Sequence, residues 1–174
     1  FSLKTWNDAV TGKYTINVRT PADGEIIGTV SFQLESFVPD RIETTVRTGS
    51  DSAGPGDSVG FTVTGQFLFG KPTAGNRTEA AFSLVPAPFR PEGYPGFQFG
   101  DARVEYKTIY ERLDARKLNE NGTAVYNVSI PADLNPPAAI NLVFTGTVFE
   151  RGARGVSARE TVRIHPYPHY LGIK

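Results

Sequence analysis

The stretch Ser58-Val59-Gly60-Phe61-Thr62-Val63-Thr64-Gly65-Gln66-Phe67-Leu68-Phe69 decides the fold. Successive side chains of an extended chain point to opposite sides, so Val59, Phe61, Val63, Phe67 and Phe69 share one face and Thr62, Thr64 and Gln66 the other. Branched and aromatic residues in this pattern fit a pleated, half-buried surface. Gly65 interrupts the row, which predicts a bulge or a close approach of another element. The apolar face, Phe61, Val63, Phe67 and Phe69, is expected to meet Phe144, Leu142 or Val162 on an opposing sheet.

The same alternation recurs on both sides of this stretch. Tyr14, Ile16 and Val18 lead through a turn at Pro21-Ala22-Asp23-Gly24 to Val30, Phe32 and Leu34, which reads as a hairpin. Further strands are expected at Ile42 to Val46, Ala80 to Val85, Val104 to Tyr110, Ala124 to Ile130, Ile140 to Phe149 and Val156 to Ile164, about nine in all. The chain has 18 Gly and 13 Pro among its 174 residues, placed so that turns separate short strands. Residues 86–100 are too rich in Pro for a central strand and read as a long ordered loop. Asp114 to Asn121 has helix formers but no apolar stripe, so a turn is expected. The pattern describes an all-β chain forming an antiparallel, two-sheet, seven-stranded β-sandwich over residues 38–174. The surplus strands, residues 1–37, read as the C-terminal strands of a preceding domain. Pro39 holds Val38 extended, which predicts a stiff joint at Phe37-Val38-Pro39.

Composition narrows function. With 18 Lys and Arg against 18 Asp and Glu, and a sequence pI near 7.0, the chain lacks the cationic excess that binding nucleic acid or an anionic membrane requires. The absence of Cys removes disulfides, thiolate metal sites and cysteine nucleophiles. Mean hydropathy is -0.25, and no apolar run approaches the roughly 20 residues that span a bilayer, so neither membrane insertion nor a signal peptide is expected. A chain that starts at Phe1 and contains no Met is expected to be a processed or excised piece.

Each candidate for chemistry has a plainer reading beside it. His165 and His169 stand four apart, a zinc-helix spacing, but Pro166 and Pro168 forbid the helix, and the pair reads as a domain end. No Gly-x-Ser-x-Gly elbow accompanies them. Asp51 and Asp57 flank a Gly/Pro loop that matches no calcium-loop spacing and read as turn acids. Glu150 and Glu160 could face one another across a hairpin, yet nothing beside them marks a sugar cleft. Asn76, Asn121 and Asn127 head Asn-x-Ser/Thr sequons, which matter only in a eukaryotic secretory setting. Arg151 and Arg154 belong to a Gly-containing hairpin tip. The rings Phe89, Tyr94, Phe97 and Phe99 would form a stacking platform if exposed and coplanar, or a plug at one end of the sandwich if buried. The residues therefore assign no catalytic, cofactor-binding or metal-binding role, and no cofactor.

Several motifs occur in an order that resembles bacterial alpha-2-macroglobulins. Gly28, Phe32 and Leu34 running into Phe37-Val38-Pro39-Asp40-Arg41-Ile42 resemble the seam between consecutive macroglobulin domains. Pro55-Gly56-Asp57-Ser58-Val59 is similar to the turn into the second strand. Phe67-Leu68-Phe69-Gly70-Lys71-Pro72-Thr73-Ala74-Gly75 resembles a Tyr-x-Phe-Gly-x-Pro-Ala-Ala-Gly segment, with Phe67 in place of Tyr and Thr73 in place of Ala. Tyr94-Pro95-Gly96-Phe97-Gln98-Phe99-Gly100-Asp101 is similar to a Pro-Gly-Phe-x-Phe-Gly loop. Glu150-Arg151-Gly152-Ala153-Arg154 resembles a Glu-x-Gly-Gly-Arg hairpin, and Tyr170-Leu171-Gly172-Ile173-Lys174 resembles the strand leaving such a domain.

The resemblance implies a structural, non-enzymatic macroglobulin domain of a multidomain periplasmic inhibitor that traps proteases after they cut a bait region. Its partners would be neighbouring macroglobulin domains and, through the whole protein, target proteases. The thioester motif Cys-x-Glu-Gln of some members would lie in a separate domain. An alternative from a different class is a carbohydrate- or peptide-binding module of a cell-envelope adhesin, using residues 86–100 as its recognition surface.

Overall fold

In the computed structural model the described residues are 9–34, 41–101, 103–150 and 154–174, so the joint at Phe37-Val38-Pro39 and the tip residues Arg151 to Ala153 lie outside them. The chain divides into two compact units, Phe1–Pro39 and Asp40–Lys174. The described strands are β1 (Gly12–Arg19), β2 (Ile26–Leu34), β3 (Ile42–Thr48), β4 (Ser52–Ala53), β5 (Ser58–Phe67), β6 (Arg77–Pro86), β7 (Gln98–Phe99), β8 (Ile109–Lys117), β9 (Thr123–Ser129), β10 (Ile140–Phe149), β11 (Gly155–Ile164) and β12 (Gly172–Ile173). The chain is all-β, as the alternation predicts.

In the first unit, β1 and β2 form an antiparallel hairpin with Tyr14 opposite Phe32 and Ile16 opposite Val30. The turn is closed by the Thr20 and Gly24 amides, which donate to Glu25 and Thr20 carbonyls at 2.9 and 3.1 Å. Tyr14 and Phe32 stack with centroids 5.7 Å apart.

The second unit is a sandwich of a three-stranded sheet, β3-β5-β9, and a five-stranded sheet, β4-β11-β10-β6-β8. All its pairings are antiparallel except the two-residue contact of β4 with β11. The sheets meet where Phe61 of β5 stacks on Phe144 of β10, centroids 4.3 Å apart and planes 5° from parallel. Val63, Leu84, Leu142 and Val162 are completely buried around that pair. At the far end of β10, the backbone of Gly146 lies against Val63: a side chain there would start 2.7 Å from its Cγ2. The glycine thus sets the local spacing between sheets.

Two expectations for the deciding stretch separate here. Gly65 does mark a close approach, since a Cβ on it would lie 2.3 Å from Thr73 Oγ1 and 3.0 Å from Leu118 and Val148. Phe69, however, is 77% exposed and does not join the core. The strand ends at Phe67, where the Phe67 amide donates to the Lys71 carbonyl at 2.8 Å and Gly70, at φ +92°, donates back to Phe67 at 2.7 Å. That turn carries Phe69 out of register, and its ring stacks on the half-buried Phe67 instead.

A second correction concerns β8. The strand expected at Val104 to Tyr110 lies at Ile109–Lys117, and residues 114–117, expected as a turn, belong to it. Pairing with β6, including Thr78 with Arg116 and Arg77 with Lys117, supplies the ladder that these charged residues do not advertise by alternation.

Candidate functional site

One end of the sandwich carries the aromatic loop. Residues 87–101 wind with Gly93, Gly96 and Gly100 at positive φ, which lets the chain reverse repeatedly between prolines. Phe89 meets Phe99 edge-on at 5.6 Å, and Tyr94 stands edge-on to both Phe97 and Phe99 at 5.9 and 6.2 Å. Phe97 and Phe99 are tilted by 33°. Phe89, Phe97 and Phe99 are half-buried and Tyr94 is exposed, so the rings pack on one another as a small satellite core. They do not present the coplanar exposed faces that a sugar platform needs. The loop also lines a groove of about 820 Å3 with Pro88, Arg90, Tyr94 and Phe97 on its wall and Pro137 and Ala138 beneath.

The C-terminal segment returns to this loop. Gly172 pairs with Phe99 and Ile173 with Gln98, so β12 and β7 form a two-stranded ribbon. Tyr170 packs on Phe89 at 4.3 Å, and its hydroxyl lies 3.1 Å from His165 Nδ1. Burial pushes the Tyr170 phenol up from its ordinary value. The Tyr167 hydroxyl lies 2.6 Å from both Asn135 Oδ1 and the Pro136 carbonyl.

The remaining sequence candidates are dispersed. His165 is half-buried and engaged with Tyr170 and Phe89, whereas His169 is exposed. Among the described residues no three His, Cys, Asp or Glu are grouped to hold a metal ion. Asp57 accepts the Gly54 amide at 2.7 Å through Oδ2, and its own carbonyl accepts the Ile130 amide at 2.8 Å, which is turn closure. Asp51 accepts the Arg163 amide through its backbone carbonyl at 3.4 Å.

Glu150 and Glu160 do not face one another. Glu160 sits opposite Phe144, while Glu150 lies beyond the Phe149 and Gly155 pair and 3.8 Å from Arg41. At ~3.4 Å per residue the two acids are roughly 20 Å apart along the ladder. Asn76 Nδ2 is buried, which closes that sequon to modification, while Asn121, Asn127 and Arg154 are exposed.

The most perturbed acid belongs to the loop's end. Asp101 takes two hydrogen bonds from the Arg103 guanidinium, at 3.0 and 2.9 Å, and one from the Arg103 amide at 2.9 Å. These bonds hold its carboxyl down to about 2. The pair is exposed and bonded to itself, a loop staple rather than an acid-base couple. Sequence reasoning missed the role of Tyr167 and Tyr170. The available signal was that aromatics concentrate in two separated Pro-rich stretches, 87–101 and 165–170.

Residues 40–166 match the family described as the bacterial alpha-2-macroglobulin MG5 domain. The chain belongs to the bacterial alpha-2-macroglobulin family. It is 26% identical over its whole length to an alpha-2-macroglobulin of Xylella fastidiosa, of which it covers 11%. It is 28% identical over 98% of its length to an Escherichia coli alpha-2-macroglobulin, of which it covers 10%. Among solved structures, the native conformation of E. coli alpha-2-macroglobulin matches 92% of this chain with a TM-score of 0.68 and 25% identity, the chain covering 10% of it. The chain therefore spans about a tenth of the length of the curated relatives it matches. The resemblance read from the ordered motifs holds, and the matched family adds the position, MG5, that the motifs alone did not supply. Within the macroglobulin sandwich the motif segments do structural work: Phe67–Gly75 is the turn beside Gly65, and Pro95–Gly100 builds β7.

Proposed function

We propose that this chain is a structural building block of a periplasmic, protease-trapping alpha-2-macroglobulin, with no catalytic role of its own. On this reading residues 38–174 form one complete macroglobulin domain and residues 1–37 are the last strands of the domain before it. Its partners are neighbouring macroglobulin domains, and proteases meet it only through the whole protein. The observation that carries the reading is the match of the entire chain to alpha-2-macroglobulins at a tenth of their length. The site chemistry agrees: Asp101 is bonded to Arg103, and the half-buried Tyr170 hydroxyl lies against His165 Nδ1. No described helix is long and apolar enough to cross a membrane.

The test uses the chain and its parent side by side. The parent protein should entrap trypsin in a sedimentable complex, and the 174-residue chain alone should neither retard nor bind it. Stoichiometric binding or inhibition by the chain alone would sink the building-block reading, as would hydrolysis of a peptide or ester substrate by it.

A further inference from the structure

We infer that residues 167–174 form a releasable latch that holds the aromatic loop 87–101 closed, so that loop and latch open as one unit while the sandwich stays folded. The latch lies past residue 166, where the family match ends, yet it turns back onto the domain. Tyr167 bonds to Asn135 and Pro136, whereas Tyr170, Gly172 and Ile173 meet the loop and His165. β12 is the sole strand paired with β7 among the described residues, so the ladder groups of Gln98 and Phe99 depend on it.

The fit is specific but thin. Gly172 lies flush against the Phe99 ring, where a Cβ would start 2.7 Å from Cε1 and 3.2 Å from Phe97 Cδ1. Lys174 Nζ stands 5.9 Å over the Phe97 ring. Leu171 and Ile173, in contrast, are 89% and 76% exposed, so Ile173 holds the loop only through its backbone. Two ladder pairs and one half-buried tyrosine ring are a small fraction of what holds the main core, and segments so lightly held open far below the global unfolding free energy. Because Gly96, Phe97, Gln98 and Phe99 also line the 820 Å3 groove, moving the latch reshapes that groove. Displacement of residues 171–174 is thereby read out at a groove wall, Gly96 to Phe99, that lies more than 70 positions earlier in the chain.

Native-state amide exchange on the full 174-residue chain tests this. Gly172→Val, whose side chain cannot fit against Phe99, should raise exchange across residues 89–100 and 171–174 together by about tenfold or more, with β5, β6 and β10 unchanged. Tyr170→Ala removes the ring from Phe89 without adding bulk and should move the same residues in the same direction. If both variants free residues 171–174 while residues 89–100 keep their protection, the loop holds itself and the latch is overturned. Loss of protection throughout β5, β6 and β10 in both variants overturns it equally, because the segment would then be part of the main core.

Discussion

Strands β1 and β5 carry the same alternation of apolar and polar side chains and end in opposite environments. On β5, Val59, Phe61 and Val63 are buried to within 1%. On β1 and β2, Tyr14 and Phe32 each keep 38% of their surface, and Val18 and Val30 more than half. Period-two patterning thus specifies a strand and its two faces, but burial needs an opposing layer. β5 has one, supplied by β10 through Phe144, and the hairpin is a single two-stranded sheet. Stability should therefore be concentrated in the second unit and nearly independent of the first, since an isolated hairpin is marginal in water.

The strongest attempt to break this contrast is Phe61→Ala. Deleting a ring stacked at 4.3 Å on Phe144 should lower the stability of the sandwich by about 3–5 kcal/mol in a urea melt. A loss below ~1 kcal/mol would show that the sheet interface tolerates the void and that β5 is not the centre of the core. Gly65→Ala probes the same strand by excess rather than by deficit. Its methyl would collide with Thr73 Oγ1, and an overpacking cost of about 1–3 kcal/mol is expected in the same melt.

On the other side, Phe32→Ala in the hairpin should shift the sandwich transition by no more than ~0.5 kcal/mol. A chain of residues 40–174 should unfold in one cooperative step at the midpoint of the full chain. A broad transition for that shorter chain would mean that the hairpin strands belong to the same core. The smallest effect concerns Asp101. Its carboxyl titrates at about 2 rather than the ordinary 3.8, so whatever the pair contributes is present above the ordinary value and lost as pH falls through about 2. The group lies at the surface, so the expected readout is its NMR titration midpoint, which should rise toward the ordinary value in Arg103→Ala while the melt at neutral pH stays unchanged.

What could be read in advance follows the same division. Phe61 opposite Phe144 was legible because both strands alternate cleanly and are flanked by turns. Phe69 was not, because the hydrogen bonds that end β5 lie within residues 66–71 and mark no break in the apolar pattern. β8 was misplaced because an outermost strand needs no apolar face: β6 supplies its ladder, and its charges stay in water. The aromatic loop was legible as ordered, since Pro and rings exclude a flexible linker. Its dependence on Tyr170 and Gly172 was hidden, because contacts between residues some 70 apart have no local signature.

β8 has one further consequence, for the behaviour of the chain in concentrated solution. It closes one side of the five-stranded sheet, and its outward ladder groups have no neighbouring strand among the described residues. Glu111, Arg112, Asp114, Arg116 and Lys117 occupy five of its nine positions. A strand from another molecule docking there would have to desolvate that row of ions, and stacking in register would bring like charges together at every layer. This edge of the five-stranded sheet is thus expected to resist strand addition, and with it fibril growth from that side.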